Sequence, residues 1–476
     1  MNILLVKPWA KTPTYFPPLG LAYIAAVLEK ADCSVAILDL SLDNAAPAKL
    51  RTYIQTLRPD LVGITCMITE FKNTVETAAI CKDLNPHIPV VVGGPLATAI
   101  PGNFLATPNI DVIVIGEGEE TIVDLVKHIE NGEEYTQIEG IAYKKNGNCI
   151  VNKKRPPILE LDSLPFPSRH LLPMEKYFSS FETWFGKGTN VKATNIISSR
   201  GCPYSCIFCD KNVFGQKWRG RSAKNMAEEI EMLSKEHGIN GLIFSDDMFD
   251  LYPERVNQFC EEIDRRNLNV LWGANSRVNH AKREIYKKMK RSGCQFIAFG
   301  TESGNQKVLD FMQKKITLEQ TVNAVDMAKD AGLRTVGYFM IGMLGENRDT
   351  IRDTVQFARG LNLDSGGFST VVPLPTTKLY ELAEEKNFIK YNGFAESDTF
   401  AGSISLIPDI TPHELEKIAE AAYWQFFWSR PSRKLPQIIR SLIMRLYPFI
   451  WLLLKIDPYL YIRLNRTREA LRLPLP

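Results

Sequence analysis

Cys202, Cys206 and Cys209 lie in the run Ser199-Arg200-Gly201-Cys202-Pro203-Tyr204-Ser205-Cys206-Ile207-Phe208-Cys209-Asp210, with the spacing C-x3-C-x2-C. Closed four-iron clusters normally use four cysteine thiolates. Three thiolates on one short loop can hold three irons and leave the fourth open, so this trio implies a small molecule at the vacant corner. The competing chemistry is a structural zinc site. Zinc wants a fourth ligand close by, and the nearest histidines, His170 and His237, stand about thirty residues away on either side.

The elements that position this loop are readable from the hydrophobic pattern. Up to about residue 130, short apolar runs alternate with amphipathic stretches: Asn2 to Val6, Val35 to Leu40, Leu61 to Thr65, Val90 to Val92 and Val112 to Ile115 read as strands. Leu19 to Lys30, Pro47 to Leu57, Asn73 to Leu84 and Glu119 to Ile129 read as helices. Continuous Val/Ile runs separated by helices predict a Rossmann-like, doubly wound parallel sheet over residues 1–137. Ligands of such sheets bind at the carboxyl ends of the strands, where this chain has Gly93-Gly94-Pro95 and Gly116-Glu117-Gly118-Glu119. Residues 138–190 read as a linker, with a hairpin around Ile141 to Val151 and Pro-rich extended chain after it.

From 191 to 404 the alternation resumes, with strands expected at Asn195–Ser198, Gly241–Phe244, Val270–Asn275, Phe296–Gly300, Thr335–Ile341 and Gly367–Val372. Six strand–helix units predict a partial (β/α)6 barrel of TIM type, with its site at the strand C-terminal ends. The cysteine loop follows the first of these strands. Residues 405–476 read as a helical tail. From Arg430 onward it carries ten Arg/Lys against Asp457 and Glu469, with an apolar run at Phe449 to Leu454. It reads either as a solvated helical cap or as a membrane-surface helix.

Composition bounds the rest. The 476 residues are 45% apolar and 23% charged, as in globular domains with large cores, and the formal charge of +3 is too small to argue for nucleic acid. Nine scattered cysteines form no disulfide framework and suit a reducing cytosol. The first seven residues are too short and too soon charged for a signal peptide. No apolar run reaches the ~18 residues of a transmembrane span.

The cysteine run resembles the signature of the radical S-adenosylmethionine (SAM) enzymes. Pro17-Pro18-Leu19-Gly20-Leu21-Ala22-Tyr23, the Gly93 and Gly116 loops, Arg219-Gly220-Arg221-Ser222, Pro373-Leu374-Pro375-Thr376-Thr377 and Phe426-Phe427-Trp428-Ser429-Arg430-Pro431 resemble the cobalamin-dependent branch of that family. The resemblance covers most of the chain. It implies a 4Fe-4S cluster on Cys202, Cys206 and Cys209, with SAM chelating the open iron and an external flavodoxin- or ferredoxin-type electron donor. It also implies SAM contacts at Tyr204, Phe208, Asp246, Asp247, Arg277, Glu302, Ser303, Ile341 and Gly342. Physically, carboxylates suit the SAM ammonium, although either aspartate can equally cap the next helix. Arg277 suits the SAM carboxylate or a surface ion pair. Glu302 and Ser303 suit ribose hydroxyls, and the glycines of Gly337 to Glu346 suit close approach to adenine. Cobalamin contacts are implied at Pro8, Leu19, Thr65, Gly93, Gly94, Pro95, Gly116, Gly118 and Glu119.

The sequence departs from the family at two places. No D-x-H-x-x-G motif follows the first strand, so no histidine ligand to cobalt is expected from Pro8 to Phe16, and Leu96 stands where relatives often have histidine. The activity expected is methyl transfer from methylcobalamin to an unactivated carbon, opened by a 5′-deoxyadenosyl radical. Alternatives are radical oxidation, cyclisation or ring rearrangement of tetrapyrrole-cyclase type, tRNA methylthiolation, and a cobalamin-binding sensor or carrier. The expected partner is a small-molecule, lipid or pigment substrate, not nucleic acid, in the cytoplasm and with peripheral membrane contact through the tail. No catalytic acid or base is assigned.

Overall fold

The structure, a computed structural model, describes residues 1–10, 16–42, 46–178, 182–185, 191–389 and 404–429. The first sheet holds seven strands: β1 (Asn2–Lys7), β2 (Ser34–Asp39), β3 (Leu61–Thr65), β4 (Val90–Gly93), β5 (Val112–Val114), β6 (Ile141–Lys145) and β7 (Asn148–Val151). Their order is β2-β1-β3-β4-β5-β6-β7. The pairings that join β1 to β5 are parallel. Along β1, Ile3 and Leu5 pack into one core and Leu4 and Val6 into the other, which is why this strand is apolar without alternation. Helices Leu19–Lys30 and Glu119–Asn131 cover the first face, and Ala46–Leu57 and Phe71–Leu84 cover the second. This is the expected doubly wound arrangement, and the strand order reverses between β1 and β3.

Two details go beyond the expected pattern. The hairpin anticipated within the linker is stitched onto the sheet: β6 pairs antiparallel with β5 and β7 with β6. Burial of Ile141, Ala142 and Tyr143 drives that pairing. The crossover from β4 to β5 contains two short helices, Pro95–Ala99 and Pro101–Leu105, that were not anticipated. Each starts with proline, whose fixed φ suits the first helical position.

The second region carries β8 (Ala193–Ile196), β9 (Ser199–Arg200), β10 (Arg219–Gly220), β11 (Gly241–Phe244), β12 (Leu271–Ser276), β13 (Cys294–Glu302), β14 (Arg334–Ile341) and β15 (Ser365–Thr370). Six of these form one curled parallel sheet in the order β15-β14-β13-β12-β11-β8, while β9 and β10 pair antiparallel as a separate two-stranded ladder. The six-stranded partial barrel is therefore the expected one. Its helices are well punctuated. Ser222 caps Ala223–His237, Gly238 closes it in the left-handed conformation, and capping boxes at Thr317 and Asn347 start two later helices. Helix Pro412–Ser429 packs on β15 through Phe426 against Phe368, as the helical tail predicts. Residues 430–476, including the basic and apolar parts of that tail, lie outside the described residues. No described helix is long and apolar enough to cross a membrane.

One core runs through both halves. Leu172, Met174 and Tyr177 of the connecting segment join the apolar cluster of the first sheet to that of the barrel, and the Tyr177 hydroxyl donates to Asp39 Oδ2 at 2.7 Å. Within the barrel, Phe244, Phe249 and Phe259 surround Trp272, with centroids 5.4–5.7 Å from it. The Trp272 indole donates to Ser292 O at 2.9 Å. Trp272→Ala is expected to lower the unfolding free energy by about 3–5 kcal/mol, read as a lower urea midpoint at unchanged slope.

Candidate functional site

The cysteine loop spans residues 201–218, with β9 and β10 as its two stems. Gly201 starts it at φ +85°, and a Cβ there would lie 2.4 Å from Lys217 O. Only glycine fits this turn. Ile207 anchors the loop in an apolar cluster with Met312, Met343 and Leu379, and Phe208 packs against the same cluster. The chain is thereby pulled inward between Cys206 and Cys209.

The three thiols sit close enough to repel one another. Burial, Asp247 and the other two cysteines push the Cys209 thiol up to about 12, and burial also raises that of Cys202. Such a site favours cationic metal, which deprotonates its thiolates. Among the described residues, no three His, Cys, Asp or Glu side chains converge on a single ion position.

Two cations beside the loop, Arg277 and Lys211, have donors without hydrogen-bond partners. Arg277 is buried at the end of β12; its Nη1 donates to Cys206 Sγ at 3.7 Å, and its guanidinium lies 3.8 Å from the Tyr204 ring centroid. Its Nε and Nη2 have no protein partner, and neither has the buried Lys211 Nζ two residues beyond Cys209. Buried charged donors left unpaired are costly, so these groups fit an anionic ligand such as a carboxylate. Tyr204 is held by its hydroxyl to His280 Nε2, and Asn279 donates to the same oxygen.

The other expected SAM contacts divide. Asp246 is fully engaged in protein structure, accepting from Ser198 N at 2.7 Å and Ser199 Oγ at 2.7 Å. Asp247 is accessible yet enclosed by the barrel mouth, and that desolvation, with the adjacent Asp246, raises its carboxyl. Glu302 sits at a bulge of β13 with φ +60° and pairs with Lys314 Nζ at 2.6 Å. Ser303 is fully buried, and its hydroxyl meets Thr354 Oγ1 at 3.0 Å. Ile341 ends β14, and Gly342 follows at φ +100°, where a Cβ would lie 2.5 Å from Leu415 Cδ2.

The expected cobalamin contacts gather along one edge of the first sheet. Pro8 follows β1, Leu19 starts the first helix, Thr65 ends β3, Gly93 ends β4 with Gly94 and Pro95 next, and Gly116, Gly118 and Glu119 follow β5. Gly94 has φ +98°, and a Cβ there would lie 2.9 Å from Cys66 O. Leu96 lies buried on this edge. A cavity of about 130 Å³ opens between this edge and the cysteine loop, lined by Met67, Ile68, Pro95, Leu96, Ala99, Asp210, Leu374 and Pro375. Its walls are apolar apart from Asp210, which suits the face of a macrocycle.

Residues 196–358 match the Radical SAM superfamily, and residues 8–126 match the B12 binding domain. A protein of Pyrococcus horikoshii described as an uncharacterized methyltransferase is 34% identical over 90% of this chain and 92% of its own. The chain belongs to the cobalamin-dependent radical SAM enzymes. It uses a 4Fe-4S cluster, SAM and cobalamin. The anaerobic magnesium-protoporphyrin IX monomethyl ester cyclase of Rubrivivax gelatinosus is 31% identical over 82% of this chain and 72% of that protein. The fold is shared with the radical SAM methyltransferase TsrM of Kitasatospora setae, solved with cobalamin and a [4Fe-4S] cluster bound. That match has TM-score 0.73 and 19% identity, over 90% of this chain and 89% of the other.

Sequence reading singled out neither Lys211 nor Lys314, and it gave no role to Arg200, Arg219 or Glu117. Lysine after the third cysteine was visible, but its lack of a partner required the fold. The partners of Arg200 were hidden for another reason: its Nη2 donates to Glu119 Oε1 at 2.5 Å across 81 residues. Burial opposes the Arg200 charge, but Glu119 and Glu117 outweigh it and raise its pKa.

Glu346 closes the β14 glycine loop, accepting from the Gly342 and Met343 amides at 2.8 Å each. Its Oε1 has no partner, and burial raises the carboxyl to about 7. Between its ordinary value and about 7 the folded state binds more protons than the unfolded, so wild-type stability falls as pH rises through that window. Glu346→Gln is expected to remove this loss. Its melting temperature relative to wild type should climb from pH 5 to pH 8, and a difference independent of pH would refute the assignment.

Proposed function

We propose that this enzyme transfers a methyl group to an unactivated carbon of a small molecule. The observation that carries the proposal is the shared cavity: Asp210, next to Cys209, faces Met67, Ile68, Pro95 and Leu96 of the cobalamin edge. Cluster and corrinoid chemistry thus meet at one apolar mouth. The methyltransferase description of the Pyrococcus horikoshii relative supports the same reading. When bound, SAM and the cluster supply hydrogen abstraction, and cobalamin supplies the methyl group.

The chain's own residues bind, orient and exclude water. We assign Cys202, Cys206 and Cys209 to the cluster and Arg277 to the SAM carboxylate. Asp247, Glu302, Tyr204, Phe208, Ile341 and Gly342 are assigned to the rest of SAM, with Asp246 and Ser303 acting from behind through their hydrogen bonds. Pro8, Leu19, Thr65, Gly93, Gly94, Pro95, Gly116, Gly118 and Glu119 are assigned to the cobalamin edge. The proposed division is 1–137 for cobalamin, 138–190 as linker, 191–404 for SAM and 405–476 as the C-terminal region.

Pro203 and Ser205 are exposed on the cysteine loop, which supports an external flavodoxin- or ferredoxin-type donor. The cysteines are all unpaired, which supports a reducing, cytoplasmic setting. A second reading, radical oxidation or ring closure, is favoured by the Rubrivivax gelatinosus cyclase. Anaerobic incubation with SAM, cobalamin and cell extract separates the two. A product heavier by one CH2 supports methylation, and one lighter by hydrogen supports the second reading.

Reconstituted protein is expected to hold about four irons and four sulfides. Cys202→Ala, Cys206→Ala and Cys209→Ala should each abolish SAM cleavage, measured as 5′-deoxyadenosine. Full cleavage by any of them refutes the cluster assignment.

The tail's ten basic residues from Arg430 onward support peripheral membrane contact and a lipid or pigment substrate. Each Lys or Arg near an anionic surface is worth about 1 kcal/mol. Neutralising Arg433, Lys434, Arg440 and Arg445 should therefore release the protein from anionic liposomes at moderate salt. Wild type remaining in the supernatant on cosedimentation would leave the tail as a cap only.

A further inference from the structure

Arg200 and Arg219 face each other directly across the β9/β10 ladder, at the two stems of the loop that carries all three cysteines. Like charges in that register repel. Both side chains are buried, so water cannot screen them. The charges that neutralise them come from the other half of the molecule. Glu119 accepts from Arg200 at 2.5 Å, and Glu117 Oε1 lies 2.8 Å from Arg219 Nη2 and 3.5 Å from Arg200 Nη1. Glu117 also accepts from Ile158 N at 2.7 Å in the connecting segment. All four side chains are 7% exposed or less.

Arg219 also ties the cysteine loop to the connecting segment. Arg219 donates to Phe214 O at 2.9 Å and to Ile158 O at 2.5 Å. The Arg200 guanidinium lies 5.3 Å from the ring centroid of Tyr23, on the first helix, and 5.2 Å from that of Phe214. Glu117 and Glu119 flank Gly118, on the loop assigned above to cobalamin. One loop of the first sheet therefore touches the cobalamin edge on one side and the stems of the cysteine loop on the other.

We infer that Glu117 and Glu119 are positioning residues that lock the cysteine loop to the cobalamin-binding sheet and so set the spacing between the two cofactors. The inference rests on the cofactor placement proposed above. It changes the reading of Glu119, whose carboxylate is engaged by Arg200. The neighbouring Glu120 is exposed and, among the described residues, pairs with Arg155 at 3.7 Å.

Glu119→Gln and Arg200→Lys test it, with Glu120→Gln as control. Lysine keeps the charge but lacks the two-pronged fork. Two readouts apply. Amide hydrogen exchange over residues 198–221 needs no cofactor, and pulsed dipolar EPR of the loaded enzyme reports the separation of the reduced cluster and cob(II)alamin. Arg200→Lys should retain iron and cobalamin, and both test variants enter the exchange comparison. They should speed exchange over 198–221 by about tenfold or more, with β1 to β4 unchanged, because a broken buried ion pair opens its surroundings. They should also broaden the cluster–cobalt distance distribution, which a merely structural loss elsewhere would not move. If Glu119→Gln fails to fold, Arg200→Lys carries the test alone. Wild-type exchange and wild-type distances in the folded variants, or the same changes in Glu120→Gln, overturn the inference. Wild-type protein that takes up no cobalamin overturns the cofactor placement instead, and the exchange comparison still decides whether the carboxylates hold the loop.

Discussion

Burying two facing guanidiniums is the constraint on which the arrangement of this molecule depends. Charges removed from water are tolerated only when opposite charges and hydrogen bonds replace their hydration. Here the replacements for Arg200 and Arg219 are Glu117 and Glu119, on a different sheet. A second buried group continues the pattern: Glu229, fully buried on helix Ala223–His237, takes Arg169 from the connecting segment at 2.5 Å and Arg221 from beyond β10. Tyr23 stands between the two groups, its ring near Arg200 and its hydroxyl 3.5 Å from Arg221. The apolar core that runs through both halves is non-directional and fixes register weakly. Charge pairs of this kind fix register, because a displaced arginine loses every partner at once.

The chemistry follows from what that registration brings together. A loop of thiols, two cations with unsatisfied donors and an apolar wall meet at the carboxyl ends of the parallel strands of two sheets, where Rossmann-like sheets and barrels alike place their ligands. Arg277 and Lys211 are held with donors unsatisfied. That costs stability and favours an anionic ligand.

Much of this was legible in the chain because it is local. Each strand or helix of the alternation, the cysteine spacing and the glycine-bearing strand ends is written in a short stretch of chain. The partial barrel emerged strand for strand. What was not legible depends on distant pairings. The attachment of Ile141–Val151 to β5 requires knowing that β5 ends the parallel sheet. Asp246 and Asp247 look alike in sequence, yet Ser198 and Ser199 capture only the first. Glu302 was visible, but its partner Lys314 lies in a loop with no signal of its own. The short helices after β4 escaped because their periodicity is too brief to register.

The order of Glu117, Glu119, Arg200 and Arg219 along the chain also has a kinetic meaning. Domains generally form from the N-terminus as the chain is made. The sheet that bears the two carboxylates can therefore fold first, and until the barrel arrives they are simply hydrated. The arginines arrive later, into a surface already negative, so attraction guides the closing step. Had the basic pair been made first, its two stems would repel while waiting. The ladder beneath the cysteine loop is thus made after the sheet that carries its counter-charges, and the stems of the cluster site meet carboxylates already in place.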